Sequence, residues 1–165
     1  MPLFPAFLDL TDRAALVVGQ GAEADRKAEK MAPFCRTVLR CPYPPVWEER
    51  PALVILAEKA HPDNERWAAH FRSLHIPVNV SDQPELCDFS FPSLIVRGNV
   101  SVGIATGGCA PALAALLRER LEDALPDDLE PIIDTAARLT AQLRKTIPDP
   151  KNRTRILREE LQKLL

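Results

Sequence analysis

Short apolar runs alternate with helical and turn-forming segments through the first half of the chain. Phe4 to Leu10 reads as an extended lead-in and Asp12-Arg13 as a turn. Ala14 to Val18 then forms an apolar strand that enters the turn Gly19-Gln20-Gly21. The next segment, Ala22 to Ala32, places Ala24, Ala28 and Met31 at helical spacing, and Pro33 closes it. Thr37 to Cys41 is a second strand, ended by Pro42, Pro44 and Pro45. Ala52 to Ala57 is a continuous apolar run, the signature of a strand covered on both faces. A helix opens at His61-Pro62 and runs to Leu74, burying Trp67, Phe71 and Leu74, and Ile76 to Val80 is the fourth strand. This order predicts an α/β, Rossmann-like domain built on a parallel sheet.

The pattern changes after Asp82. Leu94 to Arg97 and Ser101 to Ala105 predict two strands around a Gly98-Asn99 hairpin turn. Thr106-Gly107-Gly108 leads into a helix from Pro111 to Leu125, with Leu113, Leu116, Leu117 and Leu121 on one face. Two more helices are expected, Pro126 to Ile147 and Lys151 to Leu165, the last carrying Ile156, Leu157, Leu161 and Leu164. A hairpin and such helices cannot bury these faces unaided, so this half is expected to supply a homodimer surface.

Composition narrows the function classes. The 165 residues are 46% hydrophobic and 27% charged, ordinary for a globular chain with a real core. A formal charge of −2 gives no electrostatic reason to expect nucleic acid or a membrane surface as partner. Cys35, Cys41, Cys87 and Cys109 form no C-x-x-C pair, and His61, His70 and His75 add no ligand spacing, so no metal site is expected. Free thiols point to a reducing cytoplasm. Met1-Pro2-Leu3-Phe4-Pro5 lacks the basic flank and apolar core of a signal peptide.

Candidate chemistry begins at the glycine turn. Gly19, Gly21, Ala22 and Ala24 stand where a strand-turn-helix unit cradles a dinucleotide pyrophosphate: one small residue for the turn, one for close backbone approach, one for helix packing. The same residues equally suit an ordinary tight turn. The acidic ribose ligand expected about 20 residues further on is absent. Arg40-Cys41 ends the second strand instead, and Arg40 suits either a 2′-phosphate or plain solvent.

Asn79-Val80-Ser81-Asp82-Gln83-Pro84, Cys87-Asp88-Phe89, Pro92, Ile95-Val96-Arg97, Ile104-Ala105-Thr106-Gly107-Gly108 and Pro111 to Arg118 closely resemble the siroheme synthase N-terminal domain family. The glycine turn continued by Arg26-Lys27 matches the same family's opening motif. Members are precorrin-2 dehydrogenases, some also sirohydrochlorin ferrochelatases. The resemblance implies an NAD-binding Rossmann-like domain over residues 1–92, a dimerisation segment over 93–125 and a helical region over 126–165. It implies an enzyme that oxidises precorrin-2 to sirohydrochlorin with NAD, as a homodimer, with ferrous iron as a further substrate where chelation occurs.

Within that frame Asp82 is the expected catalytic base, placed just past a strand end where open α/β sheets bind ligands; its alternative is a turn-forming aspartate before Pro84. Asn79 is either a cofactor contact or a strand end. Thr106, Gly107 and Gly108 are expected at the substrate's carboxylates, as well as serving as a strand-to-helix connection. Arg97 and Arg118 suit bidentate carboxylate pairing and solvation equally.

The sequence departs from the family in three places. Ala57-Glu58-Lys59-Ala60 replaces an Ala-Thr-Asp/Asn type sequence, the stretch between Cys41 and Leu53 is short, and so is the C-terminal helical region. The first two are the main support for a competing expectation, a non-catalytic dimer that binds a nucleotide or tetrapyrrole as sensor or accessory protein; the dehydrogenase is the leading one.

Overall fold

The computed structural model describes residues 3–164, so readings that fall on Met1, Pro2 and Leu165 lie outside the described residues. The chain divides into two compact units, one up to Phe91 and one from Pro92 onward.

The first unit is an all-parallel sheet of β1 (Leu10–Val18), β2 (Cys35–Cys41), β3 (Leu53–Leu56) and β4 (Val78–Val80), in the order β2-β1-β3-β4. Helix α1 (Ala22–Met31) joins β1 to β2, and α2 (Asn64–Ser73) joins β3 to β4. The chain steps from β1 to one side, then crosses back to β3 on the other. The C-terminal ends of β1 and β3 therefore flank a switch point, where open α/β sheets leave a crevice for ligands.

Leu16, Val17, Val18, Val54, Ile55 and Leu56 are fully buried, which explains apolar runs without alternation. Successive side chains still go to opposite faces. Leu16, Val18, Val54 and Leu56 cluster with Ala68 and Phe71 of α2, whereas Ala15, Val17, Leu53 and Ile55 cluster with Ala24 and Met31 of α1. The small Ala24 allows α1 to lie close on the sheet.

The expected start of the first strand changes. The strand begins at Leu10 rather than Ala14, because a register irregularity between Leu10 and Ala14 keeps the exposed Thr11, Asp12 and Arg13 within it. The outer side of β4 meets the returning segment in place of another strand. Asp88 accepts from Val78 N–H through Oδ2 at 2.9 Å and donates its own N–H to Val78 C=O at 2.8 Å. Cys87 Sγ receives Val80 N–H at 3.1 Å.

The second unit holds the antiparallel hairpin β5 (Ser93–Arg97) and β6 (Val100–Ile104), followed by α3 (Pro111–Ala124), α4 (Glu130–Thr146) and α5 (Pro150–Leu161). Helix α4 starts at Glu130, four residues later than the pattern suggested, where Asp128 Oδ1 accepts the Glu130 N–H at 3.1 Å. Asp149 caps α5 by accepting from the Lys151 and Asn152 N–H groups. Helix α3 buries Ala114 but leaves Leu113, Leu116, Leu117 and Leu121 exposed. Among the described residues no helix is long and apolar enough to cross a membrane.

Candidate cofactor and catalytic site

The turn after β1 is anchored on both sides. Gly19 donates its N–H to Cys41 C=O at 2.8 Å, and Ala57 donates to Val18 C=O at 2.8 Å. Gly19 and Gly21 have φ of +121° and +79°, a region that only glycine enters without strain. Gly21 is the N-cap of α1 and no side chain caps the helix there. A Cβ at Gly21 would meet nothing within 4 Å. Free helix-start N–H groups beside open space are what a dinucleotide diphosphate requires, so Gly21 and Ala22 fit that group, with Gly19 supplying the turn before them. Ala24, fully buried, serves the packing that makes the close turn possible.

The segment that departs from the family lies directly against this turn. Gln20 N–H donates to Glu58 Oε1 at 3.1 Å, and the Glu58 side chain lies over Gly19. The next residue reaches the other way: Lys59 Nζ sits 2.6 Å from Asp82 Oδ2. Its ammonium is pushed up in pKa by that hydrogen bond. Asp82 follows β4 with φ of +60°, a conformation that aspartate tolerates better than most residues. Glu58 and Lys59, neighbours in the chain, thus connect the glycine turn to the carboxylate of Asp82.

Asn64, 1% exposed, holds these loops together. Its Nδ2 donates to Glu58 C=O at 2.9 Å and to Gln83 Oε1 at 2.7 Å, while its Oδ1 accepts from Tyr43 Oη. Loops after β2, β3 and β4 are thereby tied to the first residue of α2. Burial pushes the Tyr43 phenol up, helped by the nearby Glu58 and Asp63 carboxylates, so it stays a neutral donor. Around the turn, Arg26 pairs with Glu23 at 2.7 Å and Arg40 with Asp25 at 2.6 Å. Arg40 is thus engaged with α1 at the end of β2. The Arg26 hydrogen bond holds the Glu23 carboxyl below its ordinary value.

Asn79 is buried and its amide is engaged inside the unit. It donates to Phe89 C=O at 2.9 Å and accepts weakly from Lys27 Nζ at 3.4 Å. Burial lowers the Lys27 pKa, and its ammonium also lies 4.2 Å from the Phe91 ring centroid. Asn79 and the Lys27 of the opening motif therefore fasten α1 to β4 and the segment after it.

In the second unit, Thr106 C=O accepts from Cys109 N–H at 3.3 Å. Gly107 and Gly108 take φ of +63° and +80° with open space around both. The helix starts only at Pro111, with Ala110 as an uncapped N-cap, so the glycine loop precedes the helix N-terminus rather than forming it. Arg97 and Arg118 converge on Glu122, Arg97 at 3.9 Å and Arg118 in a closer pair. Arg97 Nε is buried without a hydrogen-bond partner among the described residues. Glu58, Lys59, Asn64, Tyr43 and Gln83 were not expected as site residues. Only the departure at Glu58-Lys59 marked any of them in the sequence.

The sheet order and the glycine turn define the class: an α/β protein with a Rossmann-like dinucleotide-binding domain. An NAD(P)-binding family profile matches residues 35–93, and a profile described as sirohaem biosynthesis protein central matches 97–124. Siroheme synthase of Psychrobacter arcticus is 35% identical over 173 residues, covering 90% of this chain and 31% of that protein. Siroheme synthase of Thioalkalivibrio sulfidiphilus is 36% identical over 177 residues, covering 94% of this chain and 36% of that protein. The solved structure of SirC, a precorrin-2 dehydrogenase, aligns with a TM-score of 0.63 at 17% identity, over 95% of this chain and 88% of that one, and shows the same fold. The resemblance to the siroheme synthase N-terminal domain family is borne out. The chain spans about a third of the length of the curated relatives it matches.

Proposed function

We propose that this chain oxidises precorrin-2 to sirohydrochlorin with NAD in siroheme biosynthesis. The observation that carries the reading is the juxtaposition of the open glycine turn at the switch point with Asp82, linked through Glu58 and Lys59. The reaction removes a hydride and a proton from the macrocycle. NAD, when bound, supplies the hydride acceptor. Asp82 takes the proton as a carboxylate, and Lys59 fixes that carboxylate's position. Gly21 and Ala22 hold the diphosphate by backbone N–H groups, and Gly19, its own N–H given to Cys41 C=O, makes the tight turn that presents them. Thr106, Gly107, Gly108, Arg97 and Arg118 are the groups assigned to the substrate's carboxylates, the arginines leaving Glu122 to do so.

Ferrous iron is a second substrate in this reading. Metal insertion needs pyrrole protons removed, and the same Asp82 carboxylate is suited to it. The working assembly is a homodimer in the cytoplasm, and the exposed leucines of α3 support the dimer. The deciding experiment adds precorrin-2 and NAD and follows NADH absorbance. Wild type should produce NADH and Asp82→Asn should bind NADH without turnover; unchanged turnover in Asp82→Asn would remove its role. The altered Ala57-Glu58-Lys59-Ala60 segment favours the alternative of a non-catalytic sensor or accessory protein, which would bind a nucleotide or tetrapyrrole yet form no NADH.

A further inference from the structure

Four carboxylates surround the glycine turn and the loop of Asp82. Glu23, Asp25 and Asp82 each face a cation, respectively Arg26, Arg40 and Lys59. Glu58 faces none among the described residues; its partner is the backbone N–H of Gln20, inside the turn itself. Its aliphatic stem is pressed onto Gly19 so closely that a Cβ there would lie 2.8 Å from Glu58 Cγ. Glu58 is partly buried in this position, and its main chain is held by Asn64.

A carboxylate that accepts a backbone N–H in the turn leading into a helix is stabilised by the same N–H dipoles that attract a phosphate there. We propose that Glu58 is an internal stand-in for the cofactor's diphosphate, and that dinucleotide binding must displace it, so that Glu58 sets the cofactor affinity. This rests on the cofactor reading above and adds a residue to it. A diphosphate at Gly19 to Ala22 would bring like charges together, and no cation among the described residues pairs with Glu58. The side chain then has to turn away, while Asn64 keeps its main chain in place.

The test titrates NADH into the full chain by its fluorescence, for wild type, Glu58→Gln and Glu58→Ala, with thermal unfolding run alongside. Glu58→Gln keeps the shape and removes the charge. Both variants should fold as wild type and bind NADH roughly five- to tenfold more tightly, the size expected for relieving one like-charge contact screened by bulk water. Equal affinity in all three would overturn the proposal and leave the cofactor reading intact. Weaker binding by Glu58→Ala would overturn it too, by making Glu58 a ligand of the ribose. Absence of NADH binding in all three would overturn the cofactor reading and this proposal together.

Discussion

Lys59 and Asp82 meet at 2.6 Å across the gap between the loops that follow β3 and β4. Both side chains are largely exposed, so the pair adds little to folding. Its weight falls on where the carboxylate sits. If Asp82 is the base in the proposed reaction, Lys59→Met should leave the unfolding temperature and NADH affinity unchanged while kcat for NADH formation drops roughly ten- to a hundredfold, the range for a misplaced catalytic group. Lys59→Arg should restore most of it. A Lys59→Met enzyme with wild-type kcat would show that Asp82 needs no such partner.

The two glycines of the turn should respond differently to the same change. At Gly19 a Cβ meets the Glu58 main chain at 3.3 Å as well as its side chain, whereas at Gly21 it meets open space. Both have positive φ, so each alanine carries backbone strain of about 1–3 kcal/mol. Gly19→Ala should therefore lower the unfolding temperature more than Gly21→Ala, since it adds a steric clash to the strain. Chemical denaturation of the two variants checks the order.

Acid should weaken the start of α1 in a defined window. The Arg26 hydrogen bond lowers the Glu23 pKa below its ordinary 4.5. Glu23 binds its proton more weakly in the folded chain, so its stabilisation is fully present above that value. It is lost as pH falls through the lowered folded value. Glu23→Gln should flatten this part of the stability–pH curve. Unfolding temperatures measured across the acid range for both chains would show the difference, and parallel curves would exclude the contribution.

Asn64 is the tie whose removal should be felt in several loops at once. Asn64→Ala removes donors from Glu58 C=O and Gln83 and leaves the Tyr43 hydroxyl without its acceptor. A loss of about 2–4 kcal/mol is expected for a buried group with such partners. Hydrogen exchange should rise in the loops after β2, β3 and β4 together. Protection lost in one loop alone would show that they are not coupled.

The strands were legible because burial on both faces leaves an uninterrupted apolar run, and the turn because Gly19 and Gly21 stand between a strand and a helix. The hairpin was legible from Gly98-Asn99. Thr11 to Arg13 misled because polar residues normally interrupt a strand, and nothing local reveals a register irregularity. Pro126 misled at α4 because proline suits a first helical turn, yet Pro131 is the one that occupies it. The site was legible only where one residue implies its role: the turn, and Asp82 at a strand end. Asn64 reads as a routine polar residue at a helix start, and its value lies in partners 6, 19 and 21 residues away in sequence. Glu58 and Lys59 stood out as departures, but only the fold shows that they reach in opposite directions.

The edge formed by β4 bears on how the molecule behaves in a crowded solution. An exposed strand edge is a template on which another chain's strand can build. Here Asp88 occupies both the N–H and the C=O of Val78, and Cys87 occupies the N–H of Val80. The segment that leads away from Asp82 therefore also seals the rim of the sheet. A neighbouring molecule finds no free backbone there to extend, so this side of the domain is protected against strand-by-strand aggregation by its own carboxylate and thiol.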